Sequence, residues 1–146
     1  MEPDPSTSAV HPWGAAETPY EELGGADAVR RVVDDFYDRI DAESPSLRAM
    51  LPRDDTTSRE KLFEFLSGWL GGPRLYEEKR GHPRLRMRHL PFDIGRPEAD
   101  EWMRCMEAAL ADVDEPLQSY LVVRLRESAD WMINRPDPGV IVPAVT

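Results

Sequence analysis

Apolar residues recur every three or four positions along four long stretches of the chain. In the first stretch, which follows Gly24-Gly25, the apolar positions are Val29, Val32, Val33, Phe36, Tyr37 and Ile40. This i, i+3, i+4, i+7 spacing places them on one face of an α-helix. No stretch alternates apolar and polar residues strictly enough to predict a β-strand. The pattern therefore predicts an all-α protein.

The other three stretches have similar helix signals at their ends. The second helix starts within Thr56–Ser58, which can supply a cap, and stops at Gly71-Gly72-Pro73. The third runs from about Pro97 to Val113, and the fourth begins near Pro116. Their apolar faces are Leu62, Phe65, Leu66, Trp69 and Leu70, then Trp102, Met103, Met106, Ala109 and Leu110, then Leu117, Leu121, Leu125, Ala129 and Met132.

Proline marks the two ends of the chain. Half of the 14 prolines lie in the flanks, at Pro3, Pro5, Pro12, Pro19, Pro136, Pro138 and Pro143. We therefore expect residues 1–17 and 136–146 to be mobile tails around one domain at 18–135.

Composition narrows the class of protein. The chain is 40% hydrophobic and 32% charged, as is usual for a soluble globular domain. No apolar run reaches the roughly 18–20 residues of a membrane span, and the N-terminus lacks signal-peptide features. Cys105 is the single cysteine, which excludes an internal disulfide and a cysteine-cluster metal site. The prediction is a cytoplasmic protein, and its net charge of −10 argues against nucleic acid or an anionic membrane as partner.

The stretch KRGHPRLRMRHLPFDIG, residues 79–95, is unusual in this acidic chain, because it holds five Lys or Arg residues, all before His89. It lies in a polar, proline-bearing connection, residues 73–95, and loops of that length are usually functional or disordered. Its many apolar residues argue against disorder: Leu75, Tyr76, Leu85, Met87, Leu90, Phe92 and Ile94.

The histidines do not suggest a zinc site. His82 precedes Pro83, so its backbone is biased away from the helical region, and Pro83 suits the first position of a short helix. That helix must end near His89, because Pro91 follows closely. His82 therefore lies outside the helix that carries His89, and the two form a poor chelating pair. His11 falls in the N-terminal tail.

Two interpretations of His89 follow. It can be a histidine that is hydrogen-bonded at a helix end, where an imidazolium suits the dipole, with the basic residues on a solvated face. Alternatively it is the axial donor to haem, an apolar plate whose propionates need cations. In the second case Met87, Leu90 and Phe92 pack on the plate.

The string GHPRLRMRHLPF, with Phe36-Tyr37, Gly71-Gly72-Pro73 and Trp102-x-Arg104-Cys105-Met106, resembles a group II truncated haemoglobin over roughly residues 19 to 134. The resemblance implies a truncated globin, a two-over-two helical sandwich around haem b. It also implies an abridged first helix and a loop in place of most of the haem-binding helix.

The resemblance assigns roles to individual residues. It matches His89 to the proximal iron ligand, and Tyr37 and Trp102 to distal donors that hydrogen-bond the bound ligand. The indole N–H is a donor only. Ser58 matches the usual distal-histidine position, and Leu62 is the next residue on that face. Core packing is the alternative role for Tyr37 and for Trp102.

Other positions follow from the same resemblance. Leu51 lies where the family usually has an aromatic residue or histidine, so we expect a smaller distal network. The candidates for contact with the haem propionates are Lys61, His82 and Arg86, with Arg80 and Arg84 as substitutes.

Three functions remain open at this point. The first is reversible binding of O2, with NO and CO as alternative ligands. The second is an NO dioxygenase or peroxidase-like enzyme, which needs a separate reductase because the chain contains no resemblance to a flavin or nicotinamide domain. The third is an all-α interaction module that binds an acidic partner through the basic stretch. The family analogy also suggests a homodimer.

Overall fold

The computed structural model describes residues 10–135, and these form eight α-helices. They are α1 Pro19–Leu23, α2 Ala26–Glu43, α3 Pro45–Ala49, α4 Thr56–Trp69, α5 Leu75–Arg80, α6 Leu85–His89, α7 Arg96–Ala109 and α8 Leu117–Trp131. Within this range the only β pairing is an isolated bridge between His11 and Gly14. The prediction of an all-α protein is confirmed. The predicted C-terminal tail and residues 1–9 lie outside the described residues.

The four long helices, α2, α4, α7 and α8, enclose the hydrophobic core. Helix α2 packs against α4 and also against α7, and α7 packs against α8. Val29, Val33 and Phe36 of α2 are at most 1% exposed, as the helical periodicity predicted. None of the helices between residues 10 and 135 has the length and apolar composition of a membrane span.

Gly72, in the turn after α4, is explained by its close contact with α1. The backbone N–H of Tyr20 donates to the Leu70 carbonyl at 2.9 Å, which brings α1 against the end of α4. A Cβ atom at Gly72 would lie only 2.6 Å from the Tyr20 ring. Glycine is therefore required at this position by the close approach of α1.

Helix α7 ends at Ala109 rather than near Val113, so the predicted boundary was wrong. The side-chain amide of Gln118 donates to the Leu110 carbonyl at 2.9 Å and to the Ala111 carbonyl at 3.3 Å. These carbonyls are satisfied by a side chain of the next helix, so the chain turns without continuing α7.

The start of α6 also differs from the prediction. Pro83 precedes the helix, because Arg84 adopts a left-handed conformation with φ 47° and ψ 51°. The Arg84 N–H donates to Nδ1 of His82 at 3.1 Å, and Nε of Arg88 donates to the Pro83 carbonyl at 2.8 Å. The predicted end of the helix at His89 is confirmed.

Part of the predicted N-terminal tail contacts the helices. Trp13 lies edge-on to Tyr120, with ring centroids 5.4 Å apart, and its indole N–H donates to the Ala16 carbonyl at 2.9 Å. Trp13 is therefore part of the edge of the hydrophobic core.

Candidate functional site

His89 is presented by the last turn of α6, and a hydrogen bond fixes its ring. Nδ1 lies 2.6 Å from the Leu85 carbonyl oxygen, which can only accept. In the neutral ring the proton is therefore on Nδ1, and Nε2 retains its lone pair. Metal-binding histidines are commonly oriented in this way by a backbone carbonyl. His89 is thus prepared to act as a nitrogen donor.

Three large apolar side chains close to His89 in sequence are left exposed. Met87 is 51% exposed, Leu90 54% and Phe92 39%, and the Phe92 ring centroid is 6.2 Å from that of His89. Such a concentration of exposed apolar surface indicates a binding site. A flat apolar group whose metal binds His89 would cover this surface, so the residues fit a haem.

Three aromatic residues from two helices, Phe36, Tyr37 and Trp102, form a cluster, which we call the distal cluster after the role predicted for Tyr37 and Trp102. The Phe36 ring lies edge-on to both of the others, with centroids 5.2 Å from Tyr37 and 5.1 Å from Trp102. Phe36 is 1% exposed, whereas Trp102 is only partly buried. The structure therefore brings the two predicted donors together through Phe36.

The hydroxyl of Tyr37 donates to the backbone carbonyl of Ser58 at 3.3 Å. Burial and the negative charge of Asp55 raise the pKa of Tyr37 to about 12, although Arg59 acts in the opposite direction. The hydroxyl is therefore a neutral donor at physiological pH. Ser58 meets Tyr37 through its backbone, which side-chain matching alone did not predict.

Arg59 is a further residue near the distal cluster, and the sequence analysis missed it. Its guanidinium lies 5.6 Å from the centre of the Tyr37 ring. It pairs with three carboxylates at 2.9–3.2 Å: Asp34, Asp38 and Asp55. Because the first two belong to α2, Arg59 ties the start of α4 to α2 and fixes the Ser58 carbonyl beside Tyr37. The i, i+4 spacing of Asp55 and Arg59 was the available signal in the sequence.

The remaining distal positions lie on or near α4. Leu62 follows Ser58 by about one helical turn and is partly buried against the core, as is Leu51. Lys61 is exposed. Neither leucine can donate a hydrogen bond, so the donor side chains among the predicted distal residues are those of Tyr37, Ser58 and Trp102.

Two of the five basic residues of the stretch 79–95, Lys79 and Arg80, form ion pairs with the buried Glu64. Arg80 binds Glu64 at 2.7 Å and Lys79 binds it at 3.3 Å, while Glu64 is 3% exposed. Burial alone would raise the pKa of Glu64, but the hydrogen bonds from Arg80 and Lys79 outweigh it and lower the pKa. Arg80 thus holds α5 against α4, which leaves it a poor substitute for a propionate contact.

The other residues predicted to contact the propionates differ in whether they already bind another group of the protein. Nε of Arg86 donates to the Trp131 carbonyl at 3.1 Å, and its guanidinium lies 5.3 Å from the centre of the Trp131 ring. His82 and Arg84 are exposed. The basic residues thus differ in their contacts: Lys79 and Arg80 form ion pairs with Glu64, and Arg86 is hydrogen-bonded to Trp131.

A separate groove of about 710 Å³ lies between α2 and the connection from α7 to α8. None of the predicted site residues lines this groove. Its lining includes the carboxylates of Asp34, Asp35, Asp38, Asp112, Asp114 and Glu115. This groove would repel the carboxylates of a haem, so it is distinct from the candidate site at His89.

Comparison with known families agrees with this arrangement of helices. The family model for the bacterial-like globins matches residues 18–134. The chain therefore belongs to the bacterial-like globin family.

Individual relatives define the subgroup. The Group 2 truncated hemoglobin YjbI of Bacillus subtilis is 41% identical over 119 residues, which are 80% of this chain and 89% of the relative. The crystal structure of the group II truncated hemoglobin from Bacillus anthracis has a TM-score of 0.81 at 39% identity, covering 85% and 96% of the two chains. The structure of the truncated oxygen-avid haemoglobin from Bacillus subtilis has a TM-score of 0.76 at 41% identity, covering 81% and 100%. The resemblance to group II truncated haemoglobins and the two-over-two fold are thus confirmed.

Proposed function

We propose that the protein holds haem b through Nε2 of His89 and reversibly binds O2, with NO and CO as alternative ligands. The observation that carries the proposal is the 2.6 Å contact between His89 Nδ1 and the Leu85 carbonyl, which leaves Nε2 as the donor. The globin family implies a haem cofactor, and a similar solved structure is described as oxygen-avid. When bound, the haem iron supplies the coordination position for a diatomic ligand.

Trp102 and Tyr37 are the proposed donors to that ligand. No described residue accepts a hydrogen bond from the Trp102 indole nitrogen, so this donor is available without breaking a contact. The Tyr37 hydroxyl must first leave the Ser58 carbonyl. Bound O2 carries partial negative charge, so either bond would be charge-assisted and contribute about 1.5–3 kcal/mol. Ser58 and Leu62 complete the distal wall.

The haem contacts follow from exposure and charge. Met87 and Phe92 would pack on the plate with the apolar surface that they now expose. Lys61, His82 and Arg84 are exposed and can pair with propionates, and Arg86 can do so by exchanging the Trp131 carbonyl for a carboxylate. Charged hydrogen bonds are stronger than neutral ones, which favours this exchange.

Absorption spectroscopy of the purified protein tests the proposal. Hemin is added at equimolar amounts, and spectra are recorded after reduction under argon and after admission of air. We expect a Soret band, a five-coordinate ferrous form and a shift on air exposure that reverses under argon. Failure to take up hemin would overturn the proposal. Oxidation at once without a reversible O2 form would favour NO or peroxide chemistry, which turnover with a reductant would measure.

A further inference from the structure

Asn134, three residues after the end of α8, binds the segment that follows His89. Its Nδ2 donates to the His89 carbonyl at 3.2 Å and to the Phe92 carbonyl at 2.8 Å. Its Oδ1 accepts from the Ile94 N–H at 2.9 Å. The two donors and the acceptor of one amide are thus all directed to the short segment 89–94.

The next residue, Arg135, holds the end of the same segment. Its guanidinium donates to Asp93 at 2.8 Å and to Glu98 at 2.5 Å, and Glu98 also accepts from the Gly95 N–H at 2.7 Å. A Cβ atom at Gly95 would lie 2.5 Å from Nη2 of Arg135. The guanidinium therefore occupies the space that a side chain at Gly95 would need.

These bonds matter because α6 cannot position His89 by itself. A helix of five residues is far too short to be stable in isolation. The chain from Leu90 to Gly95 forms no helix or strand, and its local backbone bonds are two turn bonds, from Leu90 to Met87 at 3.2 Å and from Phe92 to His89 at 3.0 Å. The backbone N–H groups of Asn134 and Arg135 also donate to the Ile94 carbonyl, at 2.8 and 3.0 Å, so the side chain of Asn134 adds to an existing backbone contact. The carbonyl of His89 is itself one of the groups that Asn134 binds.

We propose that Asn134 is a positioning residue for the iron ligand, and that Arg135 supports it. By holding the backbone of His89, Phe92 and Ile94 from the end of α8, the side-chain amide fixes where Nε2 points. This inference rests on the proposed function, because the positioned atom is the proposed iron donor.

Two substitutions separate the donor and acceptor parts of the amide. Asn134→Leu has a similar size and removes all three side-chain hydrogen bonds. Asn134→Asp retains an acceptor for Ile94 but turns a carboxylate toward the carbonyls of His89 and Phe92. The matched control is Gln118→Leu, because Gln118 also binds two backbone carbonyls from α8, at the far turn after α7.

The first measurement is amide hydrogen exchange on the haem-free proteins. In Asn134→Leu we expect the Ile94 amide to exchange about tenfold faster or more, since one lost hydrogen bond of about 1.4 kcal/mol corresponds to a factor of ten. In Asn134→Asp the Ile94 amide should remain protected. Gln118→Leu should leave the amides of segment 89–94 at wild-type rates. Wild-type exchange at Ile94 in Asn134→Leu would show that the amide does not hold the segment.

The second measurement is the iron–histidine stretching band of the reduced, haem-loaded proteins. We expect this band to shift or broaden in both Asn134 variants. In Gln118→Leu it should match wild type, even if this variant loses as much stability as the Asn134 variants, because Gln118 does not contact the segment 89–94. An unchanged band in both Asn134 variants would overturn the positioning role while leaving haem binding intact. A wild-type protein that takes up no haem would instead overturn the proposed function. If Asn134→Leu does not fold, Asn134→Asp decides the question.

Discussion

His89 lies on a helix of five residues, whereas Tyr37 lies on a helix of 18 residues. The distal cluster is held by aromatic packing on α2 and α7, which form the centre of the core. The proximal side is held by individual polar contacts, from the Leu85 carbonyl to the ring of His89 and from Asn134 to its backbone. The two sides of the proposed site thus depend on different interactions.

The difference determines how each side should respond to substitution. A packed aromatic cluster keeps its geometry when one donor atom is removed, so a distal substitution should change ligand contacts with little effect on the fold. A short helix that is held by single hydrogen bonds should lose its geometry when one of those bonds is removed. We therefore expect proximal substitutions to affect haem retention, and distal substitutions to affect ligand release.

The largest effect is expected from His89→Ala. Removal of the only proposed iron donor should abolish or greatly weaken haem binding, which the haem content after gel filtration would measure. His11→Ala is the control, because His11 stacks on Trp13 with ring centroids 4.6 Å apart and is assigned no haem contact. A His89→Ala protein with full haem content and an unchanged five-coordinate ferrous spectrum would contradict the assignment.

Trp102→Phe should have the next largest effect. Its indole nitrogen can donate without losing a protein contact, so the full charge-assisted hydrogen bond of about 1.5–3 kcal/mol is lost. At about 1.4 kcal/mol per decade, O2 release should accelerate roughly ten- to a hundred-fold in stopped-flow replacement. Release of CO, which is less polar when bound, serves as the internal control. Equal acceleration for O2 and CO would indicate a steric role instead.

Tyr37→Phe should have a smaller effect than Trp102→Phe, because the Tyr37 hydroxyl exchanges one partner for another. A neutral hydrogen bond to the Ser58 carbonyl contributes about 1 kcal/mol, so the net gain on binding a ligand is about 0.5–2 kcal/mol. This corresponds to roughly a two- to thirty-fold acceleration of O2 release. A larger effect than that of Trp102→Phe would show that the hydroxyl does not rest on Ser58 in solution.

The sequence was sufficient for the parts of the fold that follow helical periodicity. Helices α2, α4, α7 and α8 were predicted because each shows one apolar face over three or more turns. Helices α1, α3 and α5 have five or six residues, too few for a periodic signal. Their stability comes from tertiary packing, which local sequence does not record. The left-handed Arg84 likewise could not be predicted, since this conformation is rare for residues other than glycine.

The candidate site shows the same division. His89, Tyr37 and Trp102 were found through local motifs and a family resemblance, and their roles remain predictions. The groups that hold them are distant in sequence: Ser58 binds Tyr37 from 21 residues away, and Asn134 binds His89 from 45. No local pattern connects such pairs, because their contact is created only when the helices pack.

The expected effect that is smallest at neutral pH is the contribution of Tyr37 to the pH dependence of stability. The folded protein raises the pKa of Tyr37 from 10.0 to about 12, chiefly through burial. Below pH 10 the hydroxyl is protonated in both the folded and the unfolded chain. Between pH 10 and 12 the unfolded chain releases this proton while the folded protein retains it, so the free energy of unfolding falls as pH rises.

Tyr37→Phe should remove this contribution, and the loss of stability from pH 10 to 12 should become shallower than in wild type. Urea unfolding of the haem-free protein at a series of pH values would measure it. Trp102→Phe is the control, because it disturbs the same aromatic cluster without removing an ionisable group, and its stability should fall by a similar amount at every pH. Parallel pH profiles for Tyr37→Phe and wild type would contradict this prediction. They would mean that the Tyr37 hydroxyl is accessible to water, as the exposed side chains near His89 are.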